Sequence, residues 1–379
     1  MTSSDQVRLP KHVTVAVVGG GPAGLGVARV LRDLGIPDVW VLERGQIGES
    51  FRRWPVGTRL LTPSFPGNVF GVTDLNAISY DSSPGWSMKC EHADGKTYAK
   101  YLQMAAGAFG LNVQCGIEVF DIEPSGEWFT LRTDRGLFQA DFVIWACGQF
   151  GSPSKGTLNG TEHGKHYGTV HHWKDVPGDD VFVVGGYESG IDAALGLARS
   201  QKRVTVFDAA APWDDKDKDP SRALSPYTQQ RLKAALKRGN IKLEGGVEVL
   251  ALEREEDGIR ILAADGRSWQ TPHAPILATG FGSGTDVVSE WFDYADEGVP
   301  LLTEQDESTV LPGLFLVGPE VSHRGHLFCF IYKFRQRFAV VANAIAGRLG
   351  ADTSALEMYR YNNMYLDDLS CGDDDKCLC

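Results

Sequence analysis

The chain has 379 residues, of which 42% are hydrophobic and 23% charged, so it is long enough for roughly two or three domains with sizeable cores. Its net charge of −12 argues against nucleic acid and against an anionic membrane surface as partners. No uninterrupted apolar run reaches the ~18–20 residues of a membrane span, and the first residues lack the basic-then-apolar layout of a signal peptide, so we expect a cytoplasmic protein.

A nucleotide-binding motif begins near the N-terminus. An apolar run over residues 15–18 leads directly into Gly19, Gly21 and Gly24, which have the spacing Gly-x-Gly-x-x-Gly. The first glycine permits a tight turn, the second lets backbone N–H groups approach a pyrophosphate, and the third lets the helix pack closely on its strand. A second apolar strand ends in Glu43, about twenty residues further on, where a carboxylate can accept the hydroxyls of a ribose. Together these features predict a dinucleotide-binding unit, whereas the glycine spacing alone would also suit a turn that binds nothing.

A second copy of this unit follows in the middle of the chain. The apolar residues 181–184 lead into a glycine cluster that includes Gly185 and Gly190, and the next strand ends in Asp208. Tyr187 occupies the position of the middle glycine, where a side chain crowds the approach of a pyrophosphate. We expect a second nucleotide site here, and the alternative is a structural repeat that has lost its ligand.

The seven cysteines fall into two groups. Four are scattered among apolar or strand-like residues, and we expect them to be small buried hydrophobes: Cys90, Cys115, Cys147 and Cys329. The other three lie within the last nine residues: Cys371, Cys377 and Cys379. An odd number of cysteines in a cytosolic chain argues against a structural disulfide framework, so the terminal cluster needs a separate explanation.

Further glycine turns extend the pattern across most of the chain. Ala146-Cys147-Gly148 and Ala278-Thr279-Gly280 each follow an apolar strand, and residues 309–318 read Thr-x-x-Pro-Gly-Leu-Phe-x-x-Gly. With the two nucleotide units, these motifs resemble the two-dinucleotide-binding flavoproteins, a superfamily that includes thioredoxin reductase, bacillithiol disulfide reductase-like enzymes and flavin-containing monooxygenases. The resemblance covers the chain up to about residue 350. It implies an α/β fold with two Rossmann-like dinucleotide-binding domains, the second inserted in the first, and a flexible C-terminal tail.

The resemblance also implies domain boundaries and cofactors. The FAD-binding domain would comprise residues 1–154 and 275–366, the NAD(P)H-binding domain residues 155–274, and the tail residues 367–379. In such proteins the residues from Gly318 onwards approach the flavin ring, and the next helix directs its N-terminus at the flavin. The residues expected to bind FAD and NADH or NADPH are Gly19, Gly21, Pro22, Ala23, Gly24, Glu43, Arg44, Ser50, Phe51, Gly148, Gly185, Gly186, Glu188, Ser189, Gly190, Asp208, Gly280 and Gly318. An aspartate at position 208 would accept both ribose hydroxyls and repel a 2′-phosphate, which favours NADH.

Departures from the family patterns leave the reaction open. The chain has no Cys-x-x-Cys like that of thioredoxin reductase, and Ala23 stands where bacillithiol disulfide reductase-like proteins have a cysteine. Between the two units, the segment from His166 to His172 matches the monooxygenase pattern Phe-x-Gly-x-x-x-His only in part, because His166 replaces the phenylalanine. Membership of the superfamily therefore does not choose between reductase and monooxygenase.

The cysteine-rich tail decides our leading interpretation. We expect a FAD-dependent NAD(P)H oxidoreductase that reduces a disulfide of a small thiol or a small protein, with Cys371, Cys377 and Cys379 as catalytic residues. The aspartates at 373–375 would raise the pKa of these thiols, and docking of the tail on basic residues such as Arg52 would offset that effect. The tail could instead bind a metal, carry a lipid or have no function.

Two other functions remain open. A flavin-containing monooxygenase acting on a small nucleophilic or carbonyl substrate would use His172 and the partial fingerprint. A flavin-binding metal or redox sensor would use the tail as its receptor. We predict no resident metal, no nucleic acid and no membrane as partners, and a homodimer is compatible with the sequence.

Overall fold

The protein is described by a computed structural model, which covers residues 10–67, 71–216, 219, 221–295 and 298–370. Its strands are β1 (His12–Val18), β2 (Val39–Glu43), β3 (Val113–Cys115), β4 (Val119–Ser125), β5 (Trp128–Thr133), β6 (Gly136–Trp145), β7 (Lys165–His166), β8 (Asp180–Val184), β9 (Arg203–Asp208), β10 (Ile241–Gly245), β11 (Val249–Glu255), β12 (Gly258–Ala263), β13 (Ser268–Thr271), β14 (Ile276–Leu277), β15 (Leu314–Leu316), β16 (Ser322–His323) and β17 (His326–Leu327). Its α-helices are α1 (Pro22–Asp33), α2 (Glu49–Arg52), α3 (Pro84–Met88), α4 (Gly95–Ala108), α5 (Glu188–Arg199), α6 (Pro226–Leu236), α7 (Ile331–Phe334), α8 (Phe338–Leu349) and α9 (Leu356–Tyr361). Within these described residues, no helix combines the length and the apolar character needed to cross a membrane.

The first sheet has the strand order β3-β2-β1-β6-β5-β4, and β15 also pairs with β6. The pairs around β1 and the pair β6–β15 are parallel, whereas β4, β5 and β6 form an antiparallel meander. Val15 and Val17 in β1 are fully buried, as expected of a central parallel strand that is covered on both faces. Helix α1 packs against α8, and a Cβ at Gly26 would lie 2.0 Å from the ring of Phe338. The close crossing of these helices therefore needs a residue without a side chain at position 26.

The second sheet has the order β10-β9-β8-β14-β7, and all its pairs are parallel. Strands β11, β12 and β13 form a separate antiparallel sheet. In β14, Ile276 pairs with Val183 and Leu277 with Val184 of β8. These two residues thus belong to the second sheet, although the sequence places them beyond the end of the second domain at residue 274. The predicted domain boundary is wrong here, because the sequence of a two-residue apolar strand does not indicate which sheet the strand joins.

The arrangement confirms the predicted α/β fold with two Rossmann-like domains. Each domain contains a strand–helix–strand unit, β1–α1–β2 in the first and β8–α5–β9 in the second, with parallel strands in both. After the second sheet is complete, the chain returns to the first sheet as β15. The second domain is therefore inserted in the first. Of the predicted tail, residues 367–370 are described: Asp367 pairs with Arg360 at 2.8 Å and Leu369 is buried. Residues 371–379 lie outside the described residues.

One predicted element differs from the structure. The sequence indicates a single apolar helix from Phe328 to Leu349, but the structure has α7, a 3₁₀ turn at Arg335–Arg337, and then α8. Both arginines of this turn are buried, and Arg337 has no exposed surface. Its guanidinium donates to the carboxylate of Asp306, at 2.8 and 3.0 Å for the shortest bond to each oxygen. A long-range ion pair thus holds the turn that interrupts the helix.

Candidate functional site

The first glycine turn joins β1 to α1. Gly19 has a φ of +116°, and a Cβ there would lie 2.4 Å from the carbonyl oxygen of Ala146. A Cβ at Gly24 would lie 2.0 Å from the carbonyl oxygen of Gly19. Only glycine fits at these two positions, because a side chain would overlap neighbouring backbone. The turn is therefore packed tightly on the side that faces the sheet.

Gly21, in the same turn, has open space around it. Its φ of −88° and ψ of −172° are extended values that any residue can adopt, and no other residue lies within 4 Å of the place where its Cβ would be. This space lies at the N-terminus of α1, where the first backbone N–H groups have no partner within the helix. The turn thus provides the free volume and the donors that a pyrophosphate requires.

Glu43 lies buried at the end of β2, next to this turn. Its carboxylate accepts hydrogen bonds from the backbone N–H groups of Gly20 and Gly45, each at 2.7 Å. Burial raises the pKa of Glu43. A carboxylate has about four acceptor positions, so these two bonds leave capacity for the two hydroxyls of a ribose. The sequence predicts that role from spacing alone.

The second domain repeats this geometry. A Cβ at Gly185 would lie 2.4 Å from the carbonyl oxygen of Ala278, and one at Gly190 would lie 1.8 Å from the carbonyl oxygen of Gly185. The backbone N–H of Gly186 donates to the carboxylate of Asp208 at 2.7 Å. The two predicted units therefore share not only a sequence pattern but the same close contacts at equivalent positions.

Tyr187 occupies the position equivalent to Gly21. Its φ of −78° and ψ of −164° are close to those of Gly21, so the side chain leaves the course of the turn unchanged. The residue is 46% exposed. The second turn therefore has an aromatic side chain at the position where the first turn has only the hydrogen atom of Gly21.

A cavity of about 410 Å³ lies between the two domains. The predicted cofactor residues on its wall are Gly19, Gly21, Pro22, Ala23, Glu43, Ser50, Phe51, Gly148, Glu188 and Ser189. The other predicted residues do not line this cavity: Gly24, Arg44, Gly185, Gly186, Gly190, Asp208, Gly280 and Gly318. Two examples show why. Arg44 points outward to Glu118, at 3.2 Å, and the carbonyl of Gly280 faces Nε2 of His166, at 2.9 Å. The three tail cysteines lie outside the described residues.

Glu188 is on the wall, but its carboxylate already has partners. It accepts hydrogen bonds from the backbone N–H of Ser225 at 2.5 Å and from the hydroxyl of Thr228 at 2.6 Å. Burial raises the pKa of Glu188. The carboxylate therefore caps the start of α6, a structural function that the motif alone does not reveal.

A polar network that sequence reasoning missed connects the two domains beside the cavity. The carboxylate of Asp192 accepts hydrogen bonds from Thr58 at 2.6 Å and Tyr167 at 3.0 Å, and it pairs with Arg231 at 3.2 Å. Thr58 comes from the segment between α2 and α3 in the first domain, whereas the other three residues belong to the second domain. Asp192 lies one helical turn after Glu188 in α5, and this spacing is the only signal that could have drawn attention to it.

The scattered cysteines do not all behave as expected. Cys115 is exposed, so the prediction that it is a buried hydrophobe is wrong. Its strand, β3, lies at the end of the first sheet, where one edge has no neighbour in the sheet order. Cys147 and Cys329 are half-buried, and both lie on the wall of the cavity. Burial raises the pKa of Cys147 strongly, which keeps its thiol protonated.

Glu320 provides the other unusual group near the first turn. It is buried, and neither of its carboxylate oxygens has a hydrogen-bond partner among the described residues. Burial raises the pKa of Glu320 to about 8. Buried polar atoms without partners are rare in folded proteins and mark places where a ligand or water completes the structure. Together with the open space at Gly21, this group fits a polar cofactor held by the first domain.

Comparisons with known proteins support this assignment. Residues 16–318 match the family described as pyridine nucleotide-disulphide oxidoreductase. A Baeyer-Villiger monooxygenase of Streptomyces coelicolor is 31% identical over 227 residues, which are 56% of this chain but only 40% of that protein. Bacilliredoxin reductase Bdr of Bacillus subtilis is 24% identical over 243 residues, 63% of this chain and 68% of that protein.

A solved structure shows the same fold at nearly full length. The bacillithiol disulfide reductase Bdr (YpdA) of Staphylococcus aureus has a TM-score of 0.72 and 20% identity, covering 89% of this chain and 99% of that one. The resemblance to the two-dinucleotide-binding flavoproteins is thereby confirmed, as are the expected cofactors, FAD and NAD(P)H. From the family match over most of its length, we conclude that this chain belongs to the pyridine nucleotide-disulphide oxidoreductase family.

Proposed function

We propose that this protein is a FAD-dependent NADH oxidoreductase that reduces a disulfide, of a small thiol or a small protein. The observation that carries the proposal is Cys329, a thiol on the wall of the cavity to which both domains contribute. In the net reaction NADH, a proton and a disulfide give NAD⁺ and two thiols. Bound FAD supplies the transfer of two electrons between NADH and sulfur.

Cys329 differs from Cys147 in having a hydrogen-bonded link to a cationic side chain. Its Sγ donates a hydrogen bond to the hydroxyl of Ser221 at 3.1 Å, and this hydroxyl accepts another from the ammonium of Lys333 at 2.8 Å. Burial raises the pKa of Cys329, and the hydrogen bond with Ser221 and the charge of Lys333 offset only part of this rise. Lys333 also pairs with Asp219 at 3.1 Å, and the Asp219 carboxylate raises the pKa of the thiol further. A thiol needs such a cationic neighbour, because its thiolate form attacks disulfides. The hydroxyl links the sulfur to the ammonium and can stabilise the thiolate when it forms.

The predicted tail cysteines complete the proposal. Cys371, Cys377 and Cys379 follow a segment that is held by the guanidinium of Arg337, which donates to the carbonyl of Leu366 at 2.6 Å. Arg337 ends the 3₁₀ turn that follows α7, and Ile331 at the start of α7 lies on the cavity wall. Nine extended residues span up to about 30 Å, and the proposal requires that this reach brings the tail thiols to the cavity. We propose that these thiols pass electrons to the disulfide.

The preference for NADH is also a proposal. In NAD-dependent units, the acid after the second strand holds the ribose hydroxyls, while a nearby arginine accommodates a 2′-phosphate. Asp208 occupies the position of the acid, and the next charged residues are two further aspartates, at 214 and 215, which precede Lys216. A 2′-phosphate would therefore meet negative charge at this edge of the sheet.

The second candidate function is a monooxygenase, because the Streptomyces coelicolor relative has that activity in its name and the higher identity. Two observations favour the reductase. His172, the histidine of the partial fingerprint, is exposed rather than on the cavity wall. The match to the monooxygenase also covers only 40% of that protein, whereas the match to bacilliredoxin reductase Bdr covers 68% of that one.

Four proteins test the proposal: the full chain, a chain that ends at Ser370, Cys329→Ser, and Cys90→Ser as the control. We expect NADH to bleach the flavin absorbance of all four under anaerobic conditions. Steady-state oxidation of NADH with bacillithiol disulfide, cystine or an oxidised small protein should fall at least about tenfold in the truncated chain and in Cys329→Ser, but not in the control. NADH oxidation that needs O₂ and yields an oxygenated product would instead establish the monooxygenase. Bleaching without turnover of either kind would indicate the redox sensor.

A further inference from the structure

The segment 209–215, which follows β9, lies over the second glycine turn. The six-membered ring of Trp213 covers Gly186, so closely that a Cβ at position 186 would lie 2.4 Å from Cζ3 of the indole. A Cβ at Gly245 would lie 3.5 Å from Cζ2 of Trp213 and 2.7 Å from the methyl group of Ala211. Because both positions are glycine, the segment can pack directly on the backbone of Gly186 and Gly245.

The adenosine part of a dinucleotide is expected on this same surface, which Gly186 and Gly245 form. Gly186, Asp208 and Gly245 lie at or just beyond the carboxyl ends of β8, β9 and β10, which are adjacent parallel strands. In open α/β sheets nucleotides bind outside these ends, with the ribose on the acid that follows the second strand. The indole of Trp213 therefore lies in the space beside the ribose acceptor, in which the adenine ring would have to lie.

The first domain differs at the equivalent position, and the three atoms nearest to a Cβ at Gly20 all belong to Glu43. Five residues after its acid, Glu43, stands Gly48, whereas five residues after Asp208 stands Trp213. Correspondingly, Glu43 is on the wall of the cavity and Asp208 is not. The two glycine turns have the same close contacts, so the segment after the second strand is a difference between the domains in addition to Tyr187.

The hydrogen bonds of Asp208 provide independent evidence that segment 209–215 covers the expected nucleotide site. Its carboxylate accepts from the backbone N–H groups of Gly186 at 2.7 Å, Ala210 at 2.8 Å and Ala211 at 3.0 Å. Of about four acceptor positions, one remains, although a ribose offers two hydroxyls. At least one bond to the segment must therefore break before both hydroxyls can bind. Ala211 also has a φ of 51°, in the left-handed region that alanine disfavours.

We propose that Trp213 occupies the adenine position of the second domain in the free protein and that a dinucleotide must displace it. The same movement removes the indole and frees the acceptor on Asp208. Trp213 thus sets the affinity for the adenosine half of the coenzyme. The proposal rests on the proposed binding of NADH at the second domain.

The test compares Trp213→Ala and Trp213→Phe with Trp86→Ala in the FAD-loaded protein. Trp86 is a suitable control because it is 71% exposed and lies on α3, away from the second domain. The probe is ADP-ribose, which carries the adenosine half without the nicotinamide, and its dissociation constant is measured by calorimetry. We expect about tenfold tighter binding to Trp213→Ala, because no fraction of the protein is then closed, with Trp213→Phe between it and the full chain. Trp86→Ala should bind as the full chain does.

Weaker or unchanged binding to both Trp213 variants would overturn the proposal, and weaker binding would identify the indole as a stacking surface for adenine. Anaerobic bleaching of the flavin by NADH separates this outcome from failure of the proposed function. If NADH bleaches the flavin of the full chain while the Trp213 variants bind ADP-ribose no more tightly, only the role of Trp213 is wrong. If NADH does not bleach the flavin of the full chain, the proposed function itself is wrong and the proposal falls with it.

Discussion

At the scale of single residues, Glu320 shows how burial changes the meaning of a charge in the sequence. A Cβ at Gly318 would lie 2.8 Å from Oε2 of Glu320 and 3.7 Å from the methyl group of Ala23, so the carboxyl lies against the first glycine turn. Because burial raises its pKa to about 8, the group is protonated and neutral near pH 7. In the sequence, Glu320 is only an acidic residue two positions after Gly318.

This pKa predicts how stability depends on pH. In the unfolded chain Glu320 ionises near its ordinary value of 4.5, whereas in the folded protein it ionises near 8. Between these values the unfolded chain holds fewer protons, so the free energy of unfolding falls as pH rises from about 4.5 to 8. Glu320→Gln should flatten this slope by up to about 1.4 kcal/mol per pH unit. Urea denaturation of the FAD-free protein at several pH values measures it, and an unchanged slope would show that Glu320 is ionised in the folded state.

At the scale of elements, the turn between β1 and α1 contains glycines with two different functions, close packing and space for a ligand. Gly24 is needed for folding, because its Cβ would lie 2.0 Å from backbone oxygen, whereas the Cβ of a residue at Gly21 would meet only open space. We expect Gly21→Ala to leave the unfolding free energy within about 0.5 kcal/mol of the natural chain but to weaken FAD binding about tenfold or more, because the methyl group enters the pyrophosphate space. Gly24→Ala should instead lower the stability of the FAD-free protein by about 2 kcal/mol or more.

The two variants are measured in the same way, by the ratio of flavin to protein absorbance and by urea denaturation without FAD. Each serves as the control of the other. Full FAD content in Gly21→Ala would place the pyrophosphate elsewhere, and normal stability of Gly24→Ala would show that the turn can open without cost.

The interrupted helix after the last glycine turn shows what an apolar pattern does not contain. Arg335 donates hydrogen bonds to the carbonyls of Asp74 and Ala77, and Arg337 pairs with Asp306, so both guanidinium groups are held by distant loops. The periodic pattern of residues 328–349 indicates a helix correctly for most of its length. It cannot indicate the break, because the partners that hold the two arginines come from other parts of the chain.

At the scale of the whole molecule, the network around Asp192 ties the domains together. The side chains of Asp192 and Arg231 are each 10% exposed. Removal of one member of a buried pair leaves the other charge uncompensated, at a cost of about 3–5 kcal/mol. The hydroxyls of Thr58 and Tyr167 would lose their acceptor as well.

We therefore expect Asp192→Ala to lower the free energy of unfolding by about 3 kcal/mol and to slow the reduction of flavin by NADH, because the domains lose a shared contact beside the cavity. The control is Asp180→Ala, whose partner Arg203 forms a pair that is 65–67% exposed; its effect should stay within about 0.5 kcal/mol. Urea denaturation and stopped-flow absorbance provide the two measurements. Equal effects of the two variants would show that the buried network does not hold the domains.

Some residues of the candidate site could be predicted from the sequence, and others could not. The two glycine turns and their acids, Glu43 and Asp208, follow from spacing, because each lies within one strand–helix–strand unit. Asp192 and Cys329 become relevant only through residues far away in sequence, Thr58 and Ser221, which the fold brings within hydrogen-bond distance. Spacing contains no information about such pairs.

The sequence by itself determined the two dinucleotide-binding units, their order and the family, because these depend on local patterns of glycine, apolar and acidic residues. Only the tertiary structure decided which predicted residues share a cavity, which carboxylates already have partners, and that an indole covers the second turn. The reason is physical. Local geometry follows from the conformational limits of neighbouring residues, whereas burial, hydrogen-bond partners and pKa depend on segments that meet only when the whole chain has folded.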